Sequence, residues 1–175
     1  MGDNFVINIG RQLGSGGREI GEKLAASLEI SFYDKELINL ASEESGLCRD
    51  FFEKADEKPS QPLMNGLFGM RFPFPNDSIM ACNSCLSNDA LFKVQSDVIR
   101  KLAAEKSCLF VGRCADYILR DHPRHVNVFV SASLDDRIER LCQTMHVSKA
   151  EAEELIERTD KKRSEYYNYY SYKTW

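Results

Sequence analysis

The residues best equipped for chemistry are gathered near the start of the chain, in FVINIGRQLGSGGREIG from Phe5 to Gly21. Gly14, Gly16 and Gly17 can take positive φ and let a ligand lie against bare backbone, so that successive N–H groups converge on one anion. The helix that opens at Arg18 adds its partial positive charge at the same place. Ser15 and the cations Arg11 and Arg18 fit this reading, because a polyphosphate needs charge partners as well as amides. The chemistry expected here is phosphate binding. A glycine-rich turn without a ligand is the plainer alternative.

The spacing is close to that of a P-loop, G-x-x-x-x-G-K-[ST], whose lysine reaches the β and γ phosphates and whose hydroxyl holds magnesium. Laying Gly14-Ser15-Gly16 on the end of that motif puts Arg11 at its first glycine, Gly17 at its lysine and Arg18 at its hydroxyl. Arginine supplies charge, but its planar fork is longer than a lysine stem and is not equivalent to it.

The elements that must position these groups follow in order. Phe5, Val6, Ile7 and Ile9 predict a strand leading into the turn, and Ile20, Leu24, Ala25 and Leu28 predict a helix over Arg18 to Leu28 with one face on a sheet. Ile30 to Asp34 predicts a short strand ending in an acid. Asp34 stands where open α/β sheets bind ligands, and it is equally suited to cap a helix over Lys35 to Ser45. From Gly46 to about Ala90 the pattern loosens, and KPSQPLMNGLFGMRFPFP reads as a long loop whose apolar residues either pack over a ligand or, as the more ordinary outcome, close a small satellite core. Helical periodicity returns over Leu91 to Glu105. Cys108-Leu109-Phe110-Val111 then predicts a central strand buried on both faces. It ends in Gly112-Arg113, which places Arg113 for anion binding at a carboxyl edge, with Asp116 as its partner or as a surface charge.

Val126 to Val130 predicts another strand, Leu134 to Met145 a charged helix, and Ser148 with Glu151 a capping box that opens a long final helix. Strands alternating with helices imply an α/β fold: a parallel sheet with helices on both faces. Arg137, Arg140, Arg158 and Arg163 fall at helical spacings that could turn some of them into one cleft. From spacing alone, Arg140 and Arg158 read as part of a solvated, salt-bridged face. The aromatics from Tyr166 to Trp175 read as a platform, a docking surface, or core for elements that this chain lacks.

Composition bounds the function. A chain of 175 residues that is 43% hydrophobic suits one domain with a substantial core. A net charge of −4 and a pI near 5.5 give no support for nonspecific binding to nucleic acid or a membrane surface. The absence of an apolar run near about twenty residues, or of a signal-like N-terminus, leads to an expected cytoplasmic location. The six cysteines suit reduced thiols. The lone Cys82-x-x-Cys85 pair reads as loop cysteines, and His122, His125 and His146 lack the spacing of a metal triad, so no resident metal site is expected.

Taken together, GSGGREIG, FYDKELI, VGRCADYIL, SLDDRIERL and TDKKRSEYYNYY resemble the cytidylate-kinase-like family of P-loop nucleoside monophosphate kinases, over nearly the whole chain. The resemblance implies a single kinase-like domain over 1–175 with a three-layer, P-loop NTPase-type parallel sheet. It also implies an irregular acceptor-binding insertion at about 46–90 and a helical lid at about 146–170 that closes over ATP. ATP and Mg²⁺ are the implied cofactors, and phosphoryl transfer to a nucleoside monophosphate, CMP or dCMP foremost, the implied activity. By position, Gly14, Ser15, Gly16, Gly17 and Arg18 would hold the donor phosphates, and Asp34 and Arg113 would face the acceptor. Arg18, Arg137, Arg158 and Arg163 would be the catalytic cations, Arg163 foremost.

Two departures stand out: the missing lysine and hydroxyl of the P-loop, and a chain that reaches Trp175 without the last strand and helix such kinases usually have. They keep two other readings open, a nucleotide-binding sensor or partner-binding protein with weak or no activity, and a kinase of another small phosphate acceptor.

Overall fold

A computed structural model describes residues 4–44 and 88–175; the insertion expected at about 46–90 lies outside the described residues up to position 87. Four strands, β1 (Val6–Arg11), β2 (Ser31–Tyr33), β3 (Cys108–Val111) and β4 (His125–Val130), form one sheet in the order β2-β3-β1-β4. Every pairing is parallel, with Ile9 opposite Val111 and Val128, and Arg11 opposite Val130. From β1 the chain crosses past β3 to reach β2, and from β3 it crosses back past β1 to reach β4. The two central strands are therefore left in opposite directions, which opens a crevice between their carboxyl ends, the usual ligand position in an open α/β sheet.

Among the described residues the helices are α1 (Gly17–Ser27), α2 (Lys35–Glu44), α3 (Asn88–Glu105), α4 (Ala115–Ile118), α5 (Leu134–Met145) and α6 (Lys149–Ser171). The pleat sends alternate residues to opposite faces. Ile9, Leu109 and Val111 meet Ala25 of α1, whereas Val6, Cys108 and Phe110 meet Ile38, Ile99, Ala103 and Ile118. The continuous apolar run of β3 is fully buried because both faces are covered, as a central parallel strand requires.

The long final helix begins at the expected capping box: Ser148 Oγ accepts the Glu151 N–H and Glu151 Oε2 accepts the Ser148 N–H. Three of its distal aromatics pack on this chain's own core, a role not among those expected from the sequence. Tyr166, Tyr167 and Tyr170 pack on the β3 face, Tyr170 stacks on Phe92 with centroids 4.0 Å apart, and the Tyr167 hydroxyl donates to Asp116 at 2.7 Å. Tyr169 and Tyr172 stay exposed. Nearer its start, α6 packs Ala152 and Ile156 against Leu141 of α5, and Leu13 of the glycine turn joins this second core. The final helix therefore touches the turn at one end and the sheet at the other.

Candidate functional site

The turn between β1 and α1 has the conformation that its glycines permit. Gly14 and Gly16 lie at φ 79° and 82°, and no side chain caps α1, whose first amides have no intrahelical acceptor. The Ser15 hydroxyl donates to the Gln12 carbonyl at 2.8 Å. A Cβ on Gly14 would lie 2.8 Å from the Arg137 carbonyl, and one on Gly16 would lie 3.2 Å from the Arg140 guanidinium. The turn is thus roofed by α5.

A buried clamp holds it there. Arg137, 6% exposed, donates from Nε to the Leu13 carbonyl at 2.7 Å and pairs with Asp160, and Asp160 accepts the Leu13 N–H at 2.8 Å. Arg137 Nε and Nη2, both Asp160 oxygens and both backbone groups of Leu13 are paired, which is how a buried charge pair becomes tolerable. The Arg137 side chain is consequently committed to positioning the turn. Arg140 pairs with Glu19 on an exposed face, the solvated, salt-bridged role that spacing suggested, and there its guanidinium also lies over Gly16 of the turn.

Arg18 does not point into the turn. It pairs with Asp34 at 2.8 Å and with Glu22 at 3.3 Å, and its guanidinium lies 5.8 Å from the centre of the Phe32 ring. The hydrogen bond to Asp34 pushes Arg18 above its ordinary pKa. Asp34 itself is buried, and its second oxygen accepts the Leu37 N–H at 3.1 Å. The capping role and the strand-end position therefore coexist, and two residues expected on opposite substrates stand paired beside β2.

At the end of β3, Gly112, Arg113 and Cys114 follow one another at φ 77°, 57° and 55°. Non-glycine residues in this region store roughly 1–3 kcal/mol of strain each and concentrate at binding sites. The Arg113 guanidinium lies 5.1 Å from the centre of the Tyr166 ring, and its buried Nε has no hydrogen-bond partner. Arg11 approaches from β1. Burial, then Arg163 and Arg113, push it down to about 10, because a charge packed among other cations is disfavoured. Lys35 is lowered by desolvation and then by Arg113, and Arg163 by burial, despite Asp160. Arg163 Nη1 donates to the Arg11 carbonyl at 3.3 Å. Arg11, Arg113, Lys35 and Arg163 thus form a cationic group at the crevice between β1 and β3, next to the glycine turn.

Arg158 stands apart, exposed in a shallow groove with Val147, Glu151, Glu154 and Leu155. Lys35, Arg140 and Asp160 were not assigned to the site from the sequence. Lys35 could have been found as the residue after the strand-end Asp34; Arg140 and Asp160 depend on how α5 and α6 fold over the turn. Among the described residues, no group of three or more His, Cys, Asp or Glu side chains is placed to hold a metal, and no helix is long and apolar enough to cross a membrane. The P-loop hydroxyl position is filled by Arg18, which is engaged with Asp34, so any Mg²⁺ is treated below as part of the MgATP substrate.

Among solved structures, an uncharacterized protein from Eubacterium ventriosum ATCC 27560 is similar, with 25% identity, a TM-score of 0.70, and 98% of this chain and 81% of that one covered. A gluconokinase from Sinorhizobium meliloti 1021 (15% identity, TM-score 0.45, 89% and 74% covered) and TT1252 from Thermus thermophilus (18%, 0.45, 91% and 84%) are more distant. No curated protein sequence matches the chain. The model of the cytidylate kinase-like family matches residues 6–175, nearly the entire length: the chain belongs to this family, and its role is kinase-like, toward a nucleotide or another small molecule.

Proposed function

We propose that the protein transfers the γ-phosphoryl group of MgATP to the phosphate of a nucleoside monophosphate, CMP or dCMP foremost. The observation that carries this reading is the set of cations without carboxylate partners at the β1/β3 crevice. Among the described residues, no ion pair neutralises Arg11, Arg113 or Lys35; burial and neighbouring cations act against the charge of Arg11 and Lys35, and the buried Nε of Arg113 has no hydrogen-bond partner. A phosphate-rich ligand relieves that repulsion. The first amides of α1, which no side chain caps, suit the donor phosphates, with Arg113 on the acceptor side.

In the reaction, an acceptor phosphate oxygen forms a bond to the γ-phosphorus while the bond to the β,γ-bridging oxygen breaks and ADP leaves. An ionised phosphate acceptor carries no proton on the attacking oxygen, so no general base is needed. Catalysis is then positioning plus charge stabilisation, with Arg163 brought over the donor by α6 and water excluded on closure. Bound Mg²⁺ neutralises the β and γ oxygens as part of the substrate.

A second reading, nucleotide binding without turnover, is favoured by one observation: Arg18 is engaged with Asp34 and Glu22 away from the turn. A coupled assay of ADP formation with MgATP and CMP, dCMP, UMP, AMP or gluconate, run beside calorimetry with MgATP, separates the readings. Turnover with CMP or dCMP is expected. Binding without turnover on any acceptor supports the second reading, and turnover with gluconate alone overturns the choice of acceptor.

A further inference from the structure

We infer that Arg11 is the cation that meets the transferred phosphoryl group, reaching from the end of β1 to do the work of the lysine missing from the glycine turn. This rests on the phosphoryl-transfer reading above. Two close approaches carry the inference. In the P-loop register Gly17 takes the lysine position and Arg11 the first glycine position. In the folded chain these two positions compete for one space: a Cβ on Gly17 would lie 2.6 Å from Arg11 Cβ and 3.3 Å from its Cγ. A side chain at 17 is excluded because the stem of Arg11 is already there. The exchange of glycine for arginine at 11 and of lysine for glycine at 17 is therefore one structural change, which moves the cation from the helix start to the strand end.

The far end of Arg11 is equally constrained. A Cβ on Gly112 would collide with Arg11 Nη1, and Gly112 is held against β1 by its N–H bond to the Ile9 carbonyl at 2.9 Å. The side chain runs from beside the first turn of α1 to the first residue of the Arg113 turn. It therefore links the donor cradle with the acceptor-side cation, and the phosphoryl group passes between these two in an in-line transfer. Its charge is also available. Among the described residues no carboxylate lies within ion-pair distance of Arg11, and Asp34 and Glu36 only partly offset its burial and the repulsion of Arg163 and Arg113. Arg18 is the obvious alternative cation, and its guanidinium is taken by Asp34.

The test compares wild type with Arg11→Met, Arg11→Lys, Gly17→Lys and the double variant Arg11→Gly/Gly17→Lys, which restores the P-loop register. Turnover is measured with MgATP and CMP, affinities for MgATP and MgADP by calorimetry, and folding by thermal melting. Arg11→Met keeps the stem packed between Gly17 and Gly112, so its melting temperature should not fall. Its turnover should drop about a thousandfold, and its preference for ATP over ADP should disappear. Arg11→Lys should retain more activity than Arg11→Met, and the double variant should recover at least tenfold over Arg11→Met, whereas Gly17→Lys alone should be destabilised by the clash. An Arg11→Met protein within tenfold of wild-type turnover, with its ATP preference intact, overturns the inference and leaves phosphoryl transfer standing. A wild-type protein that neither binds MgATP nor turns over overturns phosphoryl transfer itself.

Discussion

Asp160, on the last helix, accepts the backbone N–H of Leu13 at 2.8 Å, one residue before the glycine turn begins. The same carboxylate neutralises buried Arg137, which in turn donates to the Leu13 carbonyl. One residue of α6 thus fixes both the buried charge of Arg137 on α5 and the backbone that enters the glycine turn. Asp160→Ala leaves Arg137 buried without a counter-charge, at an expected cost of about 3 kcal/mol in urea denaturation. Arg137→Ala should cost a similar amount, and the double variant clearly less than the sum, because both changes break one network.

Arg163 is held at the crevice by its bond to the Arg11 carbonyl, in a half-buried position that lowers its pKa. In the proposed transfer it would act on the charge that develops, so Arg163→Ala should reduce kcat about a thousandfold while KM for ATP changes only a few-fold. Steady-state kinetics with varied MgATP check this; an undiminished kcat removes Arg163 from the catalytic set.

Gly14→Ala tests the turn itself. Its φ of 79° costs a side-chain residue roughly 1–2 kcal/mol, and the new methyl would press on the Arg137 backbone carbonyl. Denaturation should register at least that loss, and calorimetry should show MgATP affinity lowered tenfold or more, because the amides that cradle the phosphates are displaced.

Stability should fall as the solution is made alkaline. Burial pushes Cys108 up to about 11 and Cys114 up to about 12, from an ordinary value of 9.0. Between those limits the unfolded thiols ionise while the folded ones keep their protons, so unfolding releases protons and is favoured by rising pH. Arg11 acts in the opposite sense above about 10, where its folded form sheds a proton that the unfolded chain keeps. The net expectation is a urea midpoint lower at pH 10 than at pH 8, with a shallower decline in Cys114→Ala. The same burial should protect Cys108 and Cys114 from alkylation in the native protein at pH 8.

Much of this architecture was legible in the sequence because local patterns decide it. The apolar run at Cys108 to Val111 marked a doubly covered strand, the glycines at 14 and 16 a special turn, and Ser148 with Glu151 a helix start, whereas Gly17, expected at positive φ, is instead the first residue of α1. What spacing could not supply was direction across the fold. Arg18 and Asp34 lie sixteen residues apart and meet only because α1 returns the chain to β2. Arg140 reaches Gly16 only because α5 crosses above the turn. The aromatics of α6 read as ambiguous because their partners, Phe92 and Asp116, come from elements more than fifty residues away.

The central claim is phosphoryl transfer between nucleotides at the crevice of β1 and β3, and phosphorus NMR of the wild-type protein with MgATP and CMP tests it most directly. The β-phosphorus resonance of CDP should grow as the γ resonance of ATP declines, at equal rates and with no inorganic phosphate. Release of inorganic phosphate without CDP, or unchanged ATP at saturating CMP and dCMP, would contradict it.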